Sequence, residues 1–359
     1  MNYLSSALEV LKILNNHNYD AYIVGGFVRD YLLNIESGDI DLTSSATPEE
    51  VEKLFKIVPT GIKYGTVLIM YNGYTFEHTT FRFDGSYNDS RHPNSIMYSK
   101  NITDDIKRRD FTINSILMDK DKKIIDYLDG KADLDKKVIK TIDNPNDRFN
   151  EDALRMLRAI SFVSKLGFDI ESDTLKSMKE NKDLLKNVSV ERIRIEFDKI
   201  SNGKYRSKAW KLFYELGYNK LFHNMPSVKN YDKSFIDIVL DSLVENEEIS
   251  DFWQFSKNDI SNLKKASIMI KKGFSDYDLF INGFKASKYT LDYLKIDISR
   301  YENLKIKTLK DLNINGNDIS FIIKNKRNDC LNYLAKLVLE EKVENSFDEL
   351  IKEAKKWNI

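Results

Sequence analysis

"IVGGFVRDYLLNIESGDIDLTSS", residues 23–45, puts a glycine pair, an Arg-Asp pair and two aspartates one residue apart into a single short window. Gly25 and Gly26 close the β-branched run "AYIVGG" and precede "FVRDYLL", so the pattern predicts a strand, a tight turn and a helix start. Backbone N–H groups at such a start can approach a phosphate closely because no Cβ stands in the way. The pair is neither a G-x-G-x-x-G nor a P-loop, and Gly-Gly turns without a phosphate role are common. "GDIDLTS" says more. In a strand, residues i and i+2 share a face, which sets the carboxylates of Asp39 and Asp41 side by side and turns Ile40 toward the core. Two like charges on a half-buried strand repel, and a cation is needed to keep both ionised. Glu77, in "TFEHTTFR", sits on a later strand able to bring a third carboxylate alongside. Together these residues specify a two-metal phosphoryl-transfer site, in which one ion activates an attacking hydroxyl and the other holds a triphosphate and its leaving pyrophosphate. Oxygen-only ligands suit Mg2+.

Outward from this window, Leu4, Leu8, Leu11 and Leu14 form one helical stripe before the first strand. "TPEEVEKLF" starts a second helix, with Thr47 as N-cap, Pro48 at the first helical position and Glu50 completing a capping box. "YGTVLIMYNGYTFEHTTFRF" reads as two strands turning at Asn72-Gly73, and "FTINSILMDKDKKIIDYLDG" as a further pair around a charged turn. Up to about residue 140 the pattern is a mixed or antiparallel sheet flanked by helices; beyond a boundary near 145, helical periodicity takes over. "EDALRMLRAISFVSKLGF" buries Leu154, Leu157, Ile160 and Leu166 and ends at Gly167 as a C-cap. Gly203 and "INGFKAS" interrupt the helical half near 205 and 284.

The 359 residues carry 56 Lys+Arg against 56 Asp+Glu, so no global field recruits nucleic acid or membrane, and a polyanion site has to be local. Residues 141 to 230 hold 17 Lys/Arg against 13 Asp/Glu, a net of +4, which favours the first helical stretch as the polyanion-facing one. The single cysteine, Cys330, forms no internal disulfide and reads as a small helix-packing residue; no Cys/His cluster suggests zinc. The "DKDKKIIDYLDG" aspartates fail as an EF-hand, since Ile124 occupies the glycine position and the terminal Glu is missing. His17, His78, His92 and His223 are scattered, with no His-Asp dipeptide, so a fused HD-type phosphohydrolase domain is not expected. With no secretory leader pattern and no run of eighteen apolar residues, the expectation is a cytoplasmic protein without a membrane partner.

"GGFVRD", "DID", "FEHTTFR", "RRDFTINSI", "NEDALRMLRAISF" and "VERIRIEF" follow one another in an order and spacing that resembles the class II tRNA nucleotidyltransferase and bacterial poly(A) polymerase family, densely from about residue 22 to 200. The resemblance implies an α+β chain: a polymerase-β-like nucleotidyltransferase head of mixed sheet plus helices (1–144), then an all-α neck that recognises the base (145–204), body (205–284) and tRNA-binding tail (285–359). It implies Asp39 and Asp41 as metal ligands for Mg2+ and Glu77 as the third catalytic carboxylate. Gly25, Gly26, Arg29, Arg109, Asp110 and Asn114 join the substrate-binding set, Arg109 and Asp110 by holding phosphates and ribose, and Arg29 with Asp30 by bracing the glycine turn. Asp152 and Arg155, three apart at a helix start, match residues that read the incoming base, with Glu151 and Arg158 orienting them. Cytosine and adenine present an amine donor beside a ring-nitrogen acceptor, whereas uracil and guanine present the reverse, so one carboxylate beside one guanidinium accepts C and A. Glu191, Arg194 and Glu196 of "VERIRIEFDKI" read as ion pairs locking the neck.

CTP, ATP and tRNA (acceptor stem, 3′ end and elbow) are the partners so implied; oligomeric state is left open. Relatives that add only two cytidines have a shortened loop before the Arg-Arg-Asp motif, whereas residues 83–107 here are full length, which favours complete CCA addition or terminal A addition. A near-balanced tail favours tRNA over mRNA as primer. Three departures stand out: "KNKRN" replaces a glycine-rich turn after the tail's "NGND", Ser161 stands where relatives often carry Arg, and His78 replaces an apolar residue beside Glu77. The alternatives are an A-adding enzyme, a poly(A) polymerase, and, from another class, a non-catalytic RNA-binding protein on a polymerase-like scaffold.

Overall fold

The computed structural model describes residues 2–84, 96–222, 225, 231–245, 248–249, 253 and 255–357. His92, His223 and residues 85–95 of the loop before the Arg-Arg-Asp motif lie outside them. Two compact units, Met1–Phe222 and His223–Ile359, divide the chain.

In the first unit the order is α1 (Tyr3–Asn16), β1 (Ala21–Val24), α2 (Gly26–Leu32), β2 (Asp41–Ser44), α3 (Pro48–Glu52), β3 (Lys56–Gly61), β4 (Thr66–Tyr71), β5 (Tyr74–Thr80), β6 (Arg82–Asp84), β7 (Ile96–Tyr98), α4 (Ile102–Lys107), β8 (Leu117–Met118), β9 (Ile124–Ile125), α5 (Gly130–Asp135) and β10 (Val138–Ile139). Helices then dominate: α6 (Pro145–Glu151), α7 (Leu154–Leu166), a two-residue β11 (Asp169–Ile170), α8 (Ser172–Glu180), α9 (Val190–Asn202) and α10 (Arg206–Glu215). The main sheet runs β3-β4-β5-β2-β1-β8-β9. Every pairing in it is antiparallel except β2 with β5, which is parallel and sets Asp41 opposite Glu77.

Local chemistry explains these elements. Asn72 (φ 50°) and Gly73 (φ 78°) both take positive φ, the requirement of a two-residue type I′ turn, and Tyr71 pairs with Tyr74 across it. Thr47 and Glu50 close the capping box reciprocally. Phe76 and His78 of β5 are fully buried, while Glu77 between them faces the opposite, open side. Tyr3 of α1 stacks on Phe76 with ring centroids 5.1 Å apart, and its hydroxyl accepts the Ile40 N–H at 3.2 Å, fixing the segment that leads into β2.

Three expectations are corrected. The strand begins at Asp41, so Asp39 lies just before the ladder; Ile40 is buried and both aspartates are exposed, as an extended approach gives. Asp110 does not precede a strand: Phe111 makes one isolated bridge to Thr141, and Thr112–Asn114 curl into a 3-10 turn that aims Asn114 back at Asp110. Asp152 is not in the first turn of a helix either. It is the extended break (φ −149°, ψ 101°) between α6 and α7, and its own carboxylate accepts the Leu154 N–H at 3.1 Å.

The helical part of this unit packs α7 on α9 and α10 around Phe197, Trp210 and Phe213, whose rings meet edge to face 5.3–5.4 Å apart. Gly167 caps α7 in the left-handed conformation (φ 74°). Gly203 allows α9 to end against α7, because a Cβ there would stand 2.5 Å from the Ser164 carbonyl oxygen.

The second unit contains α11 (Phe235–Val244), α12 (Lys257–Lys272), α13 (Asp276–Leu294, broken at Gly283 with φ 79°), α14 (Ser299–Glu302), α15 (Arg327–Leu339) and α16 (Phe347–Lys356). Cys330, fully buried on α15, packs in its core with Leu334, Leu291 and Leu350, as a small helix-packing residue does. In "KNKRN" the chain turns through Lys324–Lys326 directly into α15, and Arg327 donates to the Ile322 and Ser320 carbonyls, closing by a side chain what a glycine turn closes by backbone.

Replacing Gly203 by Ala forces a Cβ into backbone that cannot recede. Overpacking of this kind costs about 1–3 kcal/mol, so Gly203→Ala is expected to lower the urea midpoint of unfolding accordingly; an unchanged midpoint would contradict the close α7–α9 approach.

Candidate active site

A cleft of about 680 Å³ opens in the first unit, and its lining collects residues from the sheet, the 3-10 turn and three helices. Gly25, Gly26, Arg29, Asp41, Arg109, Asp110, Asn114, Asp152, Arg155 and Arg158 all line it. Asp39 and Glu77, also singled out from sequence, do not. Glu77 is tied to the cleft by register, as the Cα partner of Asp41.

Gly25 takes φ 78°, a conformation other residues rarely adopt, and a Cβ on it would lie 3.6 Å from Arg109 Nη1 and 3.7 Å from Asp41 Oδ2. A side chain at this turn would thus meet a carboxylate and a guanidinium at once. The Asp41 carboxylate lies in the cleft floor, crowded by protein atoms although solvent still reaches it. Burial, then Glu77, then Asp39 push its pKa up to about 6, with only Arg109 opposing. A carboxylate lifted in this way by burial and two like charges has less counter-charge than it needs to stay ionised. Among the described residues no three Asp, Glu, His or Cys side chains stand gathered as a ready metal-holding group. The donor set is nevertheless oxygen-only and under-neutralised, which fits a divalent cation bound through Asp41 with Asp39 or Glu77.

Arg109 is held from behind by Asp105, fully buried on α4, which accepts from Arg109 Nη2 at 3.0 Å and from Arg108 Nε and Nη2 at 2.9 and 2.7 Å. Burial alone would raise the Asp105 pKa, but the two guanidiniums outweigh it and hold the group ionised. Along the other wall runs a continuous chain of contacts. Lys165 Nζ pairs with Asp30 (2.7 Å), Asp30 with Arg29 (2.7 Å), Arg29 Nη1 donates to Asn114 Oδ1 (2.6 Å), Asn114 donates to Asp110 (3.0 Å), and Asp110 accepts both Arg158 Nε (2.8 Å) and Nη2 (2.5 Å). Arg29 and Arg158 both lie over the Phe162 ring, 5.0 and 5.7 Å from its centroid.

Asp152 and Arg155 share the cleft without pairing with each other. Asp152 receives a two-pronged contact from Arg192 of α9, Nη1 at 3.2 Å and Nη2 at 2.8 Å. Arg155 donates to Glu151 (2.6 Å) and to the Arg148 and Arg108 carbonyls (3.0 Å each). Glu151 thus accepts from Arg155, whereas the hydrogen bonds of Arg158 go to Asp110, with Asp152 near enough to add an electrostatic attraction. Ser161 donates to Glu196 at 2.5 Å, and Lys199 supplies Glu196 with a cation at 2.7 Å. His78 points away from the cleft: it meets Ser44 Oγ at 2.7 Å, its Nδ1 has no hydrogen-bond partner, and burial lowers its pKa to about 4.

Sequence reading missed Asp105, Arg192, Phe162, Lys165 and Tyr3. Asp105 left a signal, since it stands three and four residues before Arg108 and Arg109 on one helix face. Arg192 left none, being 40 residues from its partner.

Residues 21–140 match the Poly A polymerase head domain, and residues 167–230 match the probable RNA and SrmB- binding site of polymerase A. The CCA-adding enzyme of Lactobacillus gasseri is 36% identical over 352 residues, covering 89% of this chain and 88% of that protein. The chain belongs to the CCA-adding enzyme family. It is thus a nucleotidyltransferase, and the non-catalytic alternative falls away. The CCA-adding enzyme of Lactobacillus helveticus is likewise 36% identical, over 96% of this chain and 95% of its own. The crystal structure of the Bacillus stearothermophilus CCA-adding enzyme in complex with CTP superposes with a TM-score of 0.81 at 28% identity, covering 99% of this chain and 98% of that one. The α+β reading therefore stands as a CCA-adding enzyme fold, and nucleotidyltransferases normally use divalent metal ions. No helix among the described residues is long and apolar enough to cross a membrane.

Burial would raise the Asp110 pKa, but Arg158 and the Asn114 amide outweigh it and hold it at about 2, below its ordinary 3.8. A carboxylate depressed on folding stabilises fully above its unfolded pKa and loses that contribution as pH falls toward the folded one. Asp110→Asn is expected to cost on the order of 2 kcal/mol at pH 7, with the gap to the parent closing between about pH 4 and pH 2 in urea melts; a gap that persists at pH 2 would contradict the ion pair's role.

Proposed function

We propose that this CCA-adding enzyme family member is a template-independent tRNA nucleotidyltransferase that adds the complete 3′-terminal CCA from CTP and ATP in the cytoplasm. The head (1–144) carries the phosphoryl-transfer site, the neck (145–204) chooses the base, and the body (205–284) and tail (285–359) hold tRNA. One observation supports the reading most: the Asp41 carboxylate, in register with Glu77, lines the same cleft as Asp152 and Arg155. Bound by Asp39 and Asp41, two Mg2+ ions would lower the pKa of the primer hydroxyl and offset triphosphate charge.

The chain's own residues do the remainder. Gly25 and Gly26 let the backbone reach the triphosphate, while Arg109, fixed by Asp105, supplies a cation to it. Asp110, Asn114, Arg29 and Arg158 form the rigid wall against which the nucleoside lies. Asp152 accepts from the exocyclic amine of cytosine or adenine, and Arg155 donates to the neighbouring ring nitrogen. A correct two-point contact is worth about 1–3 kcal/mol of discrimination against uracil and guanine. tRNA is gripped chiefly through its backbone, so binding weakens with salt. The Bacillus stearothermophilus relative, solved in complex with CTP, supports a nucleotide in this fold.

Incubating the purified chain with tRNA lacking its last three nucleotides is expected to incorporate two C from CTP and then one A from ATP. Incorporation of ATP only, on primers already ending in CC, would overturn complete addition in favour of an A-adding enzyme. Asp41→Asn is expected to lower incorporation by more than the about 10–100-fold that loss of an outer-shell partner costs; parental turnover would remove Asp41 from the reaction.

A further inference from the structure

We infer that Arg192 is the positioning residue for base choice: from α9 it fixes Asp152 so that a single acceptor position remains for the incoming base, an inference that rests on Asp152 as the base-reading carboxylate. An ionised carboxylate has about four acceptor positions and no donor. The Leu154 N–H (3.1 Å) and Arg192 Nη1 (3.2 Å) take both positions on Oδ1, and Arg192 Nη2 (2.8 Å) takes one on Oδ2. One acceptor position is left, on Oδ2, and it suits one amine hydrogen of cytosine or adenine.

The backbone at this point makes such a brace necessary. Asp152 lies in the extended break between α6 and α7, where the Leu154 N–H holds Oδ1 alone and does not by itself fix the plane of the carboxylate. The guanidinium fork of Arg192 supplies that restraint, since two parallel N–H···O contacts fix both the position and the plane of a carboxylate. Arg155 has an equivalent brace in Glu151 and two carbonyls. The reading pair is therefore held apart by two clamps, one from α9 and one from α6 and the end of α4, and neither partner is spent on the other. Both members of the Arg192–Asp152 pair are largely shielded, at 20% and 17% side-chain exposure, so the contact is not a solvent-screened surface pair.

The test is single-nucleotide incorporation, with CTP or UTP on tRNA lacking its CCA end and with ATP or GTP on tRNA ending in CC, each nucleotide supplied alone. The full chain is compared as parent, Arg192→Met, Arg192→Gln, Asp152→Ala and the double variant Asp152→Ala/Arg192→Met, with thermal melts alongside. The expected result is a fall of about tenfold or more in the CTP-over-UTP and ATP-over-GTP ratios of kcat/KM for Arg192→Met. In the Asp152→Ala background the same change is expected to alter selectivity no further. Should the Met variant fail to fold, Arg192→Gln carries the test, with a smaller fall in the same ratios. Parental selectivity in the folded Arg192 variant, an equal loss for all four nucleotides, or losses that add to those of Asp152→Ala would overturn the inference. An Asp152→Ala enzyme as selective as its parent would instead overturn the base-reading role itself, on which the inference depends.

Discussion

A single parallel pairing inside an antiparallel sheet sets the terms for this molecule. Because β2 and β5 run the same way in register, Asp41 and Glu77 come level on neighbouring strands, and their like charges must be reconciled. Burial and the two neighbouring carboxylates together lift the Asp41 pKa to about 6, and the one opposing guanidinium is Arg109. A side chain added at Gly25 would come into van der Waals contact with both groups. A sheet of this shape could carry an apolar ladder here at no electrostatic cost; crowding carboxylates together instead costs stability.

The same trade governs the remainder of the cleft. From Lys165 through Asp30, Arg29, Asn114 and Asp110 to Arg158, charged and amide groups alternate so that every carboxylate meets a donor. Such networks seldom stabilise more than apolar packing would, but they define one geometry, because each member restricts the rotamer of the next. Phe162 contributes an apolar face for two guanidiniums at once, so Arg29 and Arg158 are held without a second acid. Ser161 fits this pattern: its hydroxyl meets Glu196, while the cation for Glu196 comes from Lys199 one turn along α9.

Legibility in the sequence followed the range of the interactions. The Thr47 capping box, the Asn72-Gly73 hairpin, the Gly167 cap and the stripe in α7 are decided within a few residues, and all were readable. The pairing of Glu77 with the Asp-x-Asp strand was readable as a possibility, because carboxylates on separate strands with a glycine turn nearby have few other uses. Where tertiary contacts decide, reading failed. Helical spacing put Asp152 and Arg155 on one face, yet Asp152 caps its own break and is claimed by Arg192 from another helix. A strand directly after Asp110 was expected from the stretch beginning "FTINSIL", but Asn114 is pulled into a 3-10 turn by its bonds to Asp110 and Arg29.

The most direct test of the central claim is anomalous diffraction from crystals of the full chain soaked with Mn2+ and CTP. Manganese peaks on the carboxylates of Asp39 and Asp41, with the cytosine edge between Asp152 and Arg155, are the expected result. CTP bound outside this cleft, or no manganese on either aspartate, would contradict the active-site assignment.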